Sequence, residues 1–475
     1  MHPNKMHGRP LLLPLLTLAT AALLVSGCSG GSMSTSSNSS GPTGAAFVVG
    51  TDAPMASVTS FSVQVQSIAA TDASGDTVQL LSGTPTVDFA RFNGLQTLLD
   101  MNDVPAGTYT SVSIKLGAAT IGYLDTSGGG APIIKTEAAT LTTSTVNVTL
   151  TKPLVVVTAG APVGLHVDFN LRKSIQVDSN DQITGIVTPT FKVNAVGPDD
   201  AGAYIDEFSG AVVSVNTGAQ SFVMQGPHGR QVTINVTGQT EWDGGASLSD
   251  LTTSSIVQVS GKLDRTDASL SADEVVILSQ NGFYASGQIT YVTSAQSQTV
   301  PTTETATSFD LYVRGLLPTT TGLTLGQIAT VDLNGSENFS IYWMHNPMSQ
   351  FLFNSSGLLA GQDVAVGGPA SGATNAQAVT VKRVVLRHWG FNGTLVAGSV
   401  NTTNDTFQIQ INGFAGLLVP QTVTVYVVGK TDFRDGLTEM TDVESNTNVR
   451  VVGLLLKDPT SGQTVLIAHY VDALD

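Results

Sequence analysis

The residues that could do chemistry are few and scattered. Cys28 is the single cysteine in 475 residues, so no intramolecular disulfide forms and no thiolate metal site assembles within the chain. Beyond it the histidines are His166, His228, His345, His388 and His469, with no His-x-x-x-His and no His-Glu pairing. A zinc site needs three or four converging ligands, so these read as solitary histidines, and no metal or cofactor is expected. Asp178-Ser-Asn-Asp181 offers oxygen ligands but lacks the spacing and the glycine of a calcium loop; a polar hairpin turn is the better reading. After residue 44 there is no Gly-x-Ser-x-Gly elbow, and no acid is placed to orient a histidine toward a serine. Gly128-Gly-Gly130 and Gly244-Gly245 are not followed by helical patterns, so they read as loops rather than phosphate cradles. Glu241 and Asp243 share one strand face by the two-residue period, as many solvated carboxylate pairs do, and a glycosidase is disfavoured. The chain reads as a non-enzyme.

Aromatic residues do recur at one position of a repeating pattern: Trp242 in Thr-Glu-Trp-Asp, Phe339 in Glu-Asn-Phe-Ser and Phe433 in Thr-Asp-Phe-Arg. Exposed rings of this kind stack on sugars, which makes the three a candidate ligand surface. Rings that plug or cap a core are the commoner cause of such a recurrence, and that reading is preferred. Trp343 is a fourth candidate; with His345 and several amides it sits in an insertion where a hydrolase with an unfamiliar site would be built. The formal charge is −16, and loss of the first 27 residues would remove Lys5 and Arg9 but no acid, giving −18. Nucleic acid and anionic lipid surfaces are repelled by such a chain, and no nucleic-acid partner is expected. The acids are dispersed, which suits solubility.

At the N-terminus Lys5 and Arg9 precede the apolar run Leu11 to Val25, which contains no acid and is shorter than the roughly 20 residues of a spanning helix. Val25-Ser26-Gly27-Cys28 follows and resembles the lipobox of bacterial lipoproteins. The resemblance implies cleavage before Cys28, lipid on its sulfur and its amine, and attachment to a membrane by three acyl chains, more than the two signals stable anchoring needs. Ser29, where an Asp would imply inner-membrane retention, favours the outer membrane by the same resemblance. Residues 1–27 are thus expected to be a signal peptide. Residues 28–44, rich in Ser and Gly, are expected to be a flexible tether.

From Ala45 the pattern changes to short runs of Val, Thr, Ile and Phe broken by Gly, Pro, Asn and Asp. Phe61-Ser-Val-Gln-Val-Gln-Ser-Ile68, Val112 to Leu116 and Val146 to Leu150 alternate with a period of two, the mark of half-buried strands. Asn93 to Leu99 is expected to make one helical turn, and Pro105-Ala-Gly107 a turn into the strand near Tyr109. An antiparallel sandwich buries such strands. Val49-Gly-Thr-Asp-Ala-Pro54, Leu95 to Leu99, Val104-Pro-Ala-Gly-Thr-Tyr109, Val167-Asp-Phe-Asn-Leu171 and Thr188-Pro-Thr-Phe-Lys-Val193 resemble domain-of-unknown-function family 4382 over about residues 45–197. That resemblance implies an exported β-sandwich with no established enzymatic role.

The remainder repeats. Gly210-Ala-Val, Gly287-Gln-Ile and Gly393-Thr-Leu open three units; Phe222-Val-Met, Phe309-Asp-Leu and Phe407-Gln-Ile follow. Val257-Gln-Val-Ser-Gly261, Val364-Ala-Val-Gly-Gly368 and Val449-Arg-Val-Val-Gly453 then match, and Ala272-Asp-Glu-Val, Ala378-Val-Thr-Val and Ala468-His-Tyr-Val close the units. Five or six short strands with glycines at the bends suit a small closed barrel. The units resemble domain-of-unknown-function family 5666, which implies an OB-like barrel. The expected fold is all-β: a sandwich at 45–197, then three small OB-like β-barrel repeats at 205–282, 283–389 and 390–475, the second enlarged at Gln296 to Ala306 and around Trp343 to Leu358. The expected function is a non-enzymatic cell-envelope lipoprotein, a surface or periplasmic binding and scaffold module toward envelope polysaccharide or protein. The alternative is a polysaccharide-acting hydrolase with its site in repeat 2.

Overall fold

The computed structural model describes residues 42–474, apart from 54, 56–57, 126–132, 159, 181, 227–228, 230, 244–245, 267–268, 297–303, 319–320, 343–350, 374–377, 412–420, 430 and 435. The expected leader and the tether up to residue 41 lie outside the described residues. Among those described, no helix is long and apolar enough to cross a membrane.

Alternation builds the N-terminal domain as two packed sheets. Its strands are β1 (Thr43–Ala53), β2 (Val58–Asp72), β3 (Thr77–Gln79), β4 (Thr86–Asp88), β5 (Thr97–Pro105), β6 (Gly107–Asp125), β7 (Ile133–Leu141), β8 (Thr145–Val156), β9 (Val163–Asn170), β10 (Ile175–Val177), β11 (Ile183–Val187) and β12 (Phe191–Val196). One sheet has the order β12-β9-β1-β5, with β1 and β9 parallel. The other runs β10-β11-β7-β6-β2-β3, with β4 on β2 and β8 on β6. In β2 the side chains of Phe61, Val63 and Val65 are buried while Ser62, Gln64 and Gln66 lie on the other face. Phe61 stacks on Phe169 at 5.1 Å, and Phe191 meets Phe169 edge-on at 4.6 Å, so rings from both sheets meet in the core. The helical turn falls earlier than the sequence predicts, at Phe89–Arg91. Asn93 and Gly94 adopt positive φ, 46° and 85°, which ends the turn and sends the chain into β5 from Thr97.

Three barrels follow with one topology. The first comprises β13 (Tyr204–Asn216), β14 (Ser221–Gln225), β15 (Gln231–Asn235), β16 (Glu241–Trp242), β17 (Ile256–Leu263) and β18 (Ser269–Ser279). The order β15-β14-β13-β17-β18 closes through a parallel pairing of β15 with β18, an OB-like arrangement. The second comprises β19 (Gly282–Gln296), β20 (Glu304–Leu317), β21 (Ile328–Asp332), β22 (Asn338–Ile341), β23 (Asp363–Pro369), β24 (Ala378–Thr380) and β25 (Arg383–Arg387). Here the last strand is broken: β24 pairs with β21 and β25 with β23, so the two pieces close the barrel between them. The extra residues near Gln296 lengthen the β19–β20 pair. The third comprises β26 (Trp389–Leu395), β27 (Thr406–Ile411), β28 (Gln421–Tyr426), β29 (Asp432–Arg434), β30 (Asn448–Lys457) and β31 (Thr464–Ala473), closed by β28 on β31. The recurring glycine has a steric cause at Gly261 and Gly453. Each sits at a register shift, and a Cβ there would stand 2.1 Å from the carbonyl oxygen of Ser271 or Ile467.

The domains are packed together through strands buried on both faces. In β1, Ala46 and Val48 face the N-terminal core while Phe47 and Val49 join the core of barrel 1. In β18, Val275 and Ile277 point into barrel 1, and Val276 and Leu278 pack with Tyr284, Tyr342 and Val385 of barrel 2. In β30, Leu455 fills barrel 3 while Leu454 and Leu456 enter the core of barrel 2. Each Val, Leu, Ile or Phe among them, removed from water, contributes about 1.5–3 kcal/mol.

Candidate functional site at the domain junction

The recurrent aromatics occupy equivalent places in the three barrels. Trp242, Phe339 and Phe433 lie on β16, β22 and β29, each beside the last strand of its barrel, opposite Val275, Val384 and Val471. All three are half-buried and pack against their own barrel core, Phe339 meeting Phe353 edge-on at 5.6 Å. They do not come together. Cys28, Trp343, His345 and His228 lie outside the described residues. Asp178 Oδ1 accepts the N–H groups of Asn180 (2.8 Å) and Gln182 (2.9 Å), the geometry of a polar turn; Asp181 is outside the described residues. Among the described residues no group of three or more His, Cys, Asp or Glu is placed to hold a metal ion.

Glu241 lies opposite Glu274 in the β16–β18 pairing, and Asp243 is taken by Arg383 of barrel 2, which also donates to the Ile277 carbonyl. Burial, with Asp243 and Glu241 adding to it, pushes the Glu274 carboxyl well above the usual range. Beside this pair an open cleft of about 710 Å³ runs between barrels 1 and 2, lined among others by Asp243, Asp250, Asn281, Asn338, Lys382 and Arg383.

A second constellation, which sequence reasoning did not single out, joins all four domains. At the start of β13 the register shifts between Ile205 and Phe208, so Asp206 and Glu207 both face the junction. Their N–H groups donate to the Gln96 carbonyl at 3.0 and 3.3 Å. In return the Gln96 N–H donates to Asp206 Oδ2 at 2.8 Å, and Thr97 Oγ1 to the Glu207 carbonyl at 2.7 Å. Arg387, at the end of β25, donates through Nη2 to Glu207 Oε2 and through Nη1 to the Tyr284 hydroxyl (3.2 Å), while its Nε stands 3.4 Å from Asp363 Oδ2. Arg314 donates to the Ala90 carbonyl of the N-terminal domain at 3.3 Å and lies over the Trp389 indole of barrel 3 at 4.7 Å. Asn93 Nδ2 donates to the Gly390 carbonyl at 2.8 Å, and the Tyr470 hydroxyl donates to the Gly94 carbonyl. His388 stacks on His469 at 4.6 Å, with His469 Nε2 3.7 Å from Asp206 Oδ1.

Burial governs the electrostatics. It pushes the Asp52 carboxyl well above the usual range, against the pull of the Gly94 N–H and Arg450. It raises Asp363 to about 7 despite Arg387 beside it, with Glu207 adding to the rise. Burial also opposes the charge on Arg387, but Glu207 and Asp363 outweigh it and keep the guanidinium protonated. His388 is held well below its ordinary value by burial, then by His469 and Arg387. Such a network sets which surfaces dock more than it adds net stability, because desolvation offsets the Coulomb gain.

At the edge of the network lies a cavity of about 250 Å³ between the N-terminal domain (Asp88, Arg91, Phe92, Leu98, Leu99), barrel 1 (Phe208, Ser209) and barrel 2 (Arg314, Leu316, Leu325).

Residues 44–185 match the model of a family described as Domain of unknown function (DUF4382). The DUF4382 span ends inside β11, so β12, which completes the four-stranded sheet against β9, lies beyond it, as do Thr188 to Val193 of the sequence resemblance. It supplies Asp52, Asp88, Arg91, Asn93 and Gln96 to the junction, while the barrels supply the partners. No curated protein matches the chain.

Proposed function

We propose that the protein is a non-enzymatic lipoprotein of the cell envelope, anchored through Cys28 in the outer membrane, with its sandwich and three barrels serving as a binding and scaffold module toward an envelope polysaccharide or protein. The observation that carries the reading is the apolar run Leu11 to Val25 ending in Val25-Ser26-Gly27-Cys28, followed by a Ser/Gly tether. The barrels, in this reading, belong with domain-of-unknown-function family 5666. The open cleft between barrels 1 and 2 supports a hydroxyl-rich ligand, since Asp243, Asp250, Asn281, Asn338 and Lys382 supply the planar amides and charges that sugars engage.

Fractionation of a bacterial host tests the anchor. The wild-type chain is expected in the membrane fraction and Cys28→Ser in the soluble fraction; membrane attachment that survives the substitution would contradict the reading. A glycan array and a pull-down with the full chain test the ligand class.

A further inference from the structure

We propose that the cavity between the N-terminal domain and the first two barrels binds a small uncharged alcohol with an apolar body, of the size of cyclohexanol. The site is independent of how the chain is anchored and of what the open cleft holds.

Size comes first. About 250 Å³ exceeds the ~150 Å³ void that takes a benzene ring and falls below the ~300 Å³ at which drug-sized pockets begin. A ring of about six carbons with a single polar substituent fits that interval.

The wall is apolar at Phe92, Leu98, Leu99, Phe208 and Leu316, all buried, and at Leu325, which is 62% exposed and marks the rim. The charged groups beside it are spent on one another. Arg314 donates to the Ala90 carbonyl and to Gln288 Oε1 and faces the carboxyls of Asp88, Asp363 and Asp52. Arg91 pairs with Glu207 at 3.9 Å, and Arg387 holds both Glu207 and Asp363. Burial pushes the Asp52 and Asp88 carboxyls up, toward their uncharged form, and Asp88 Oδ1 already accepts the Phe61 N–H at 2.8 Å. An anion would meet two guanidiniums that already face carboxylates. An ammonium would meet Asp88 in its backbone bond and Glu207 shared between two arginines. An ion of either sign would lose its hydration with no matching gain.

Neutral polar groups then decide the ligand. The Thr97 hydroxyl donates its hydrogen to the Glu207 carbonyl at 2.7 Å, and the Ser209 hydroxyl donates to Glu207 Oε1 at 3.3 Å. Both residues line the cavity, and with their hydrogens committed their oxygens keep only lone pairs to offer. Thr86 is exposed and Ser62 half-buried, so water competes for those two hydroxyls, whereas Ser209 is 2% exposed. The inner polar end of the cavity therefore calls for a donor: a ligand O–H satisfies it, and a carbonyl oxygen leaves it unmet.

Isothermal titration of the full-length protein in a non-ionic detergent, with a blank titration into the same detergent subtracted, tests the site. Cyclohexanol is the probe, cyclohexanone its acceptor-only counterpart, and cyclohexylamine and cyclohexanecarboxylate the charged ones. One cyclohexanol per chain is expected to bind with a Kd of about 1 mM, the ketone about fivefold more weakly and both ions about tenfold more weakly or worse. Thr97→Val combined with Ser209→Ala is expected to erase the preference for alcohol over ketone while the ketone keeps its affinity; a merely structural effect would weaken both alike. Leu325→Trp at the exposed rim is expected to weaken cyclohexanol about tenfold with no change in the unfolding midpoint. Equal or tighter binding of the ketone or of either ion, no saturation by about 10 mM as for a cavity holding water only, or indifference to Leu325→Trp would each overturn the proposal. None of these outcomes bears on release of Cys28→Ser from the membrane, so the two readings fail separately.

Discussion

Arg387→Met would leave Glu207 and Asp363 buried without the cation they share. Arg387 and Glu207 side chains are 4% and 9% exposed and Asp363 only 2%, so water cannot take over the lost partner. Breaking a buried pair from one side costs about 3–5 kcal/mol, since the remaining charge keeps its desolvation penalty. Glu207→Gln is gentler, because Arg387 retains Asp363 at 3.4 Å and the Tyr284 hydroxyl at 3.2 Å. Made together, the two changes are expected to cost about 1.5–3 kcal/mol less than their sum, the coupling of residues in one network. Trp389 provides the readout: it is 2% exposed with Arg314 4.7 Å above its ring, so its emission shifts when the junction opens. Denaturant titrations of the four chains, each with Trp242→Phe and Trp343→Phe, measure the cycle. Additivity within about 0.5 kcal/mol would refute the shared network.

Four other substitutions are expected to have measurable effects. Asp363 is raised from near 4 to about 7, so the folded chain binds a proton the unfolded chain has released; this stability is present at acid pH and is lost as pH rises through 4 to 7. Asp363→Asn should therefore gain on the wild type by up to about 4 kcal/mol across that window, and a pH-independent difference would argue against it. His388 acts oppositely: held neutral when folded, it costs stability as pH falls below its ordinary value near 6.5, a loss that His388→Gln should remove in the same titrations. Gly390→Ala places a Cβ 2.5 Å from the Asn93 carbonyl oxygen and should cost about 1–3 kcal/mol by calorimetry, whereas Phe433→Ala should cost about 2 kcal/mol from core loss without altering glycan-array signals.

Most of the fold was legible because one-sided strands write their exposure into the sequence with a period of two, as in Phe61 to Ile68. The docking of domains was written in the opposite signal. Val449 to Leu456 is almost unbroken in apolar residues, as is Val275 to Leu278, and a run apolar on both faces demands cover on both faces. Residues such as Leu454 and Val276 were thus readable as interface, although which neighbour covers them is a long-range fact no local pattern states. The junction charges were harder. Asp206-Glu207 and Arg387-His388 sit at strand ends where charged residues are ordinary, and only the bulge near Phe208 and the meeting of four domains bury them. The recurrent aromatics were visible by register, and their half-burial against separate barrels follows from β16, β22 and β29 occupying equivalent places.

The sandwich and the barrels are expected to unfold as one cooperative body, locked together at the buried charges. Scanning calorimetry of the full chain tests it most directly. For roughly 380 described residues acting together, a single transition with a van't Hoff enthalpy on the order of 270 kcal/mol is expected, moved as a whole by Arg387→Met. Separate transitions of about 70 kcal/mol, the value for one barrel alone, would contradict it.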